Sequence, residues 1–168
     1  FQKLPREIEN EKRELDVYRL EAIPNLNAIN LTMDERSVGS IKGFHPMEVE
    51  QKLKATYRFT KKTAFVRLMT QGDSDIIIRI LFAASRPAPV PNAKVDIIVN
   101  DNLLDSLVIG RGGLLEFQVL IPRTLLNPTT QVLKIAVNTW KPIEYGISPD
   151  TRELGIAIFR VEMSKRVA

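Results

Sequence analysis

The sequence predicts an all-β protein, an antiparallel, jelly-roll-like β-sandwich preceded by an N-terminal helix. Three observations lead there. Beyond Pro24 the apolar residues recur with the two-residue period of strands. The periodic runs are short, nine of them between residues 26 and 168. They are separated by Gly, Pro, Asn and Asp clusters rather than by the helical stretches of a βαβ fold.

Residues 1–25 differ in pattern. Leu4, Ile8, Leu15, Tyr18 and Ala22 share roughly one helical face, Pro5 suits a first turn and Pro24 a stop. This segment is expected to be a helical connector arriving from an upstream domain, with a coiled-coil or docking helix as the sharper reading. The sandwich follows over residues 26–168. The expected strands are 28–33, 53–60, 63–70, 75–85, 93–100, 103–110, 113–121, 130–138 and 152–163. Lys61-Lys62 is placed at a hairpin turn. Asn100-Asp101-Asn102 is placed at a second one that tolerates left-handed backbone. The loop "RPAPVPN" cannot be a central strand, and "GRGG" at 110–113 is a flexible turn.

At 168 residues with 44% hydrophobic and 26% charged composition, the chain has the size and content for one full core. It begins at Phe1, so a fragment or processed product of a longer protein is expected. The net charge is +4. Residues 1–25 hold five Lys/Arg against six Asp/Glu and the remainder nineteen against fourteen. That excess is scattered, which favours a solvated surface over a nucleic-acid footprint. No nucleic-acid partner is expected, and "YRFTKKTAFVRL" is read as a half-buried alternating hairpin. No apolar stretch approaches the roughly 18 residues that span a bilayer, so any membrane link would come through regions outside this sequence.

Chemistry is sparse. There is no cysteine, which removes disulfides, thiol nucleophiles and thiolate metal sites and leaves the compartment open. His45 is the only histidine and there is no G-x-S-x-G elbow, so no catalytic triad is assigned. "GRGG" lacks the lysine and following helix of a phosphate loop. "DNLLD" and "GDSD" do not match an EF-hand, so no metal ligands are assigned beyond the possibility of a structural calcium at a loop. No cofactor is expected. Paired carboxylates for glycoside hydrolysis are not suggested.

Three stretches go further: "GFHPME" at 43–48, "YRFT" at 57–60 and "WKPIEYGISPDTRELGIAIFRVEM" at 140–163. In that order they resemble a β-sandwich module attached to bacterial glycosyltransferases, and a related one on membrane-anchored phosphoglycerol transferases that decorate periplasmic glucans. The resemblance runs from about residue 26 to 164. Gly43, Phe44 and Glu48 match the opening motif, and Arg58, Phe59 and Thr60 the strand motif. Pro142, Gly146, Ser148, Asp150, Arg152, Leu154 and Gly155 match the closing motif. Phe44 and Phe59 stand where tryptophan is usual, so neither supplies an indole N–H.

The resemblance implies a non-catalytic, carbohydrate-binding-like module of a larger cell-envelope glycan-synthesis enzyme, in bacterial cytoplasm or periplasm. Its partner would be a glycan or a catalytic domain in the same chain. A structural docking or oligomerisation module without ligand is the second reading. The candidate carbohydrate-contacting residues are Phe44, Glu48, Arg58, Trp140, Tyr145, Asp150 and Arg152. Trp140 has two readings, stacking on a sugar or covering the sandwich edge. From the residues alone, Gly146 and Gly155 suit a turn and a close approach, and Asp150 suits an Asx turn. Glu48 is expected to pair with Arg152 or Arg58.

Overall fold

The computed structural model describes residues 6–8, 28–34, 39–110 and 112–166. Among them are eleven strands: β1 (Arg6–Ile8), β2 (Ala28–Thr32), β3 (Ile41–Phe44), β4 (Glu48–Glu50), β5 (Ala55–Met69), β6 (Ile76–Ala83), β7 (Ala93–Val99), β8 (Asn102–Ile109), β9 (Leu114–Ile121), β10 (Thr130–Val137) and β11 (Ala157–Lys165). The all-β antiparallel sandwich expected from the sequence is what forms. One layer runs β1-β8-β7-β10-β5 with β3 beside β5, and the other runs β5-β11-β6-β9 with β2 beside β11.

The expected helix over 1–25 lies outside the described residues except at Arg6–Ile8. There the chain is extended and pairs parallel with β8, whose outer edge offers unpaired backbone N–H and C=O groups.

Alternation builds the core. On β5 the residues Ala64, Val66 and Leu68 face inward, on β10 Leu133, Ile135 and Val137, and on β6 Ile76, Ile78 and Ile80. On β11 the register shifts between Ile158 and Arg160. This bulge changes parity, so Ile156 and Ile158 face the core before it and Val161 and Met163 after it. Phe159 is thereby freed to join Leu81 and Ala157 in a second apolar cluster, against which Tyr57, Phe59 and Leu53 pack.

Lys61-Lys62 corrects one expectation. The two strands expected at 53–60 and 63–70 are one strand, β5. Its first part pairs with β11 through Arg58 and Phe59, and its second part pairs with β10 from Thr63 to Met69. The lysines mark the corner where the strand leaves one sheet for the other. A two-residue hairpin turn needs positive φ, and the positive-φ non-glycine residues described are Lys54, Asn100 and Asp101. The last two, at φ 48° and 67°, form the β7–β8 hairpin that the sequence placed there.

The strand registers bring three connections to one end of the sandwich: 84–92 between β6 and β7, 110–113 between β8 and β9, and 138–156 between β10 and β11. The last is the candidate site. β11 begins at Ala157 rather than 152, and residues 152–156 belong to that long connection.

Candidate functional site

The connection from 138 to 156 is closed at its base by a β-bridge. Trp140 N–H donates to Leu154 O at 3.0 Å, and Leu154 N–H donates to Trp140 O at 2.8 Å. Inside this clamp Pro142–Tyr145 makes one 3₁₀ turn, started by proline in its first turn and ended by Gly146 at φ 68°. Gly146 N–H and Ile147 N–H then donate to Ile143 O and Pro142 O, each at 3.2 Å. Ile143 N–H reaches across to Asp150 O at 3.0 Å. The turn from 142 to 147 is thus held by its own backbone, with Pro142 buried beneath it.

The loop presents two groups. The first is aromatic: Trp140 is half-buried and meets Tyr145 edge-on at 6.2 Å between ring centroids, 67° between planes. Tyr145 is exposed, as are Ile143 and Ile147 on the same loop.

The second group is charged. Asp150 Oδ1 accepts the backbone N–H of Arg152 at 2.9 Å, which is an Asx turn. The Arg152 guanidinium also grips that carboxylate, with Nη2 2.8 Å from Oδ2 and Nε 3.1 Å from Oδ1. Its Nη1 lies 3.4 Å from Glu48 Oε2 on β4. These hydrogen bonds from Arg152 pull the Asp150 carboxyl down to about 2. Arg152 also sits 5.9 Å from the Phe59 ring centroid. Glu48 stands directly opposite Tyr57 in the β4–β5 register. Burial first, then the charges of Glu48 and Glu50, push the Tyr57 hydroxyl up.

Of the two partners expected for Glu48, the structure has Arg152. Arg58 is turned inward and buried, donating to His45 O and Asp34 O at 3.3 Å each. Phe44 lies opposite Thr60 and packs against the main core. Glu48, Asp150 and Arg152 are therefore brought together, Trp140 meets Tyr145 on the same loop, and Phe44 and Arg58 lie apart from them, one against the core and one on backbone carbonyls. Thr60 is the hinge between loop and sandwich. Its N–H donates to Ile156 O, its hydroxyl accepts Ile156 N–H at 3.1 Å, and its carbonyl accepts Gly155 N–H at 2.8 Å.

Sequence reasoning missed two supports. His45 Nε2 lies 2.7 Å from Glu153 O and stitches the loop before β4 to the closing segment. Arg86, buried at 8% exposure, donates to Pro91 O (3.2 Å), Asn138 O (2.5 Å) and Gly155 O (3.3 Å). It therefore ties the proline loop to both ends of the 138–156 connection, and burial lowers its guanidinium to about 10. The only available signal was an arginine opening a proline-rich loop. Among the described residues no group of three His, Cys, Asp or Glu is arranged to hold a metal ion.

No family model matches the chain, and no curated protein sequence matches it. Solved structures do. The C-terminal CBM6 of LamC, a marine laminarinase from Zobellia galactanivorans, superposes with a TM-score of 0.51 at 9% identity, covering 83% of this chain and 100% of that one. A family 35 carbohydrate-binding module from Clostridium thermocellum gives 0.52 at 13% identity, over 83% of this chain and 98% of that one. The CBM36-1 domain of a multidomain xylanase from the hindgut metagenome of Trinervitermes trinervoides gives 0.51 at 9% identity, over 84% and 100%. At such identities the likeness shows the fold alone, a β-sandwich that this chain shares with these modules.

Proposed function

We propose that this chain is a non-catalytic, carbohydrate-binding-like module that holds glycan on its 138–156 loop. The carrying observation is the exposed Tyr145 against Trp140, mounted on a loop that its own hydrogen bonds and Arg86 make rigid. A sugar offers an apolar C–H face to such rings and hydroxyls to nearby polar groups. Glu48 and Asp150 supply acceptors and Arg152 supplies donors, all with their rotamers fixed by one another. The similar structures support this reading, since they are carbohydrate-binding modules, one of them a domain of a multidomain xylanase.

On the motif resemblance we further propose that the module belongs to a larger bacterial enzyme of cell-envelope glycan synthesis, in cytoplasm or periplasm. Its catalytic domain would lie in the same chain. A glycan array tests the binding claim. Saturable binding that weakens about tenfold or more in Trp140→Ala and Tyr145→Ala is the expected result. Equal binding by wild type and both variants, or none on any glycan, contradicts it.

One observation favours the docking reading. Ile143 and Ile147 are each 47% exposed beside Tyr145, which suits a protein surface as well as a sugar. Sedimentation analysis distinguishes the two: self-association abolished by Ile143→Asp and Ile147→Asp would assign the loop to protein contact.

A further inference from the structure

The sheet that contains β3, β5 and β10 carries an uneven charge. Over Ile41–Phe44, Lys61–Met69 and Thr130–Val137 the side chains include Lys42, Lys61, Lys62, Arg67 and Lys134, and no Asp or Glu. Strand register brings three of these cations around one ring: Lys42 lies opposite Phe65, Phe65 opposite Lys134, and Arg67 is two residues along from Phe65. Side chains two apart on a strand share a face, so Phe65 and Arg67 point the same way. The Lys134 ammonium lies 5.9 Å from the Phe65 ring centroid. A groove of ≈ 400 Å³ runs here, lined by Lys42, Phe65, Arg67 and Val132.

None of the five cations makes a salt bridge with a described residue, whereas the other layer neutralises its own, Arg79 with Glu162 at 3.0 Å and Lys165 with Asp73 at 2.9 Å. On the neighbouring strand β7, Asp96 lies opposite Ala136 and accepts a hydrogen bond from the Ser106 hydroxyl at 2.7 Å. Arg67 reaches only a backbone carbonyl, Gly39 O at 3.4 Å. Adjacent strands stand about 4.8 Å apart, so Lys42 and Lys134 flank the ring across one strand. Lys42, Arg67 and Lys134, none of them salt-bridged to a described residue, repel one another and attract a polyanion.

From this arrangement we infer that the β3–β5–β10 face is a second binding surface, for a carboxylate-bearing acidic polysaccharide. The choice of polymer rests on the glycan reading above; the surplus of positive charge does not. Nucleic acid fits less well, because base stacking needs successive exposed aromatics and this face has one half-buried phenylalanine already capped by Lys134. A membrane surface fits less well too, because anchoring needs exposed apolar residues that insert and the groove's Ile41, Phe65 and Val132 are all half-buried.

The test uses the 168-residue chain and polygalacturonate, with dextran, a duplex oligonucleotide and anionic phosphatidylserine vesicles as comparators. Wild type is expected to bind polygalacturonate, more weakly as salt rises. Lys42→Gln/Arg67→Gln/Lys134→Gln together are expected to cost about tenfold in affinity with an unchanged unfolding midpoint. Trp140→Ala is expected to leave this binding intact, so loss of the loop site and loss of this surface are separable. No binding by wild type, undiminished binding by the triple variant, or equal binding to the oligonucleotide or vesicles would each overturn the inference. If the triple variant is destabilised, Arg67→Gln alone, with an expected loss of about twofold to threefold, replaces it.

Discussion

Asp150 is a site residue whose surroundings act strongly on its chemistry. Its carboxyl is drawn to about 2 in the folded chain, mainly by hydrogen bonds from the Arg152 side chain, against 3.8 ordinarily. A depressed carboxyl stabilises the fold fully above its ordinary value, and the contribution is lost as pH falls through the folded value. Asp150→Asn is therefore expected to lower the stability above about pH 4, by less than about 1 kcal/mol as for other solvent-screened pairs. The difference should shrink as pH falls towards 2 and vanish below it, which thermal melts of both proteins across that range would show. A difference that does not shrink between pH 4 and pH 2 would assign the effect to something other than this charge. Gly155 makes a different residue-scale prediction. A Cβ there would meet Thr60 Oγ1 and Val137 Cγ1, so Gly155→Ala is expected to cost about 1–3 kcal/mol by urea unfolding. Both residues were legible in the sequence, because a turn aspartate and a glycine facing packed neighbours have local or generic reasons to be there. Arg86 was not, because two of its three carbonyl partners, Asn138 and Gly155, come from a connection distant in sequence, and nothing in the pattern of "RPAPVPN" announces them.

At the scale of elements, the period-two pattern identified most of the strands, since burial on one face of a sheet leaves that trace. β3 and β4 escaped it, being four and three residues long, the first interrupted by Gly43 at φ 81°. Lys61-Lys62 misled because two adjacent charged residues within an alternating run look like a turn. A strand that changes sheets exposes the same residues without reversing direction. The Asn100-Asp101 hairpin is sharper, since two left-handed residues leave little choice of side chain. Asp101→Val should cost about 1–2 kcal/mol in unfolding free energy, and an unchanged midpoint would mean the turn has another backbone solution.

At the scale of the whole molecule, the sandwich separates two chemistries. The end formed by residues 138–156 offers aromatic rings beside a Glu48–Arg152–Asp150 cluster, and the β3–β5–β10 face offers positive charge in a groove. The order of motifs from 43 to 155 made sense only in the folded chain. Glu48, Asp150 and Arg152 meet because β4 lies against β5 while Thr60 on β5 holds Gly155 and Ile156. Phe44 and Arg58 belong to those motifs for packing and for fastening loops, a distinction that spacing alone does not make. Trp140 is the only tryptophan in the chain, so its emission reports on the proposed site without interference. Titration of wild type with the best-binding oligosaccharide, followed by Trp140 fluorescence, is the most direct test. A saturable change that matches the binding isotherm, and that weakens about tenfold in Tyr145→Ala, is predicted. Saturable binding with Trp140 emission unmoved and Tyr145→Ala without effect would place the glycan elsewhere and contradict the account.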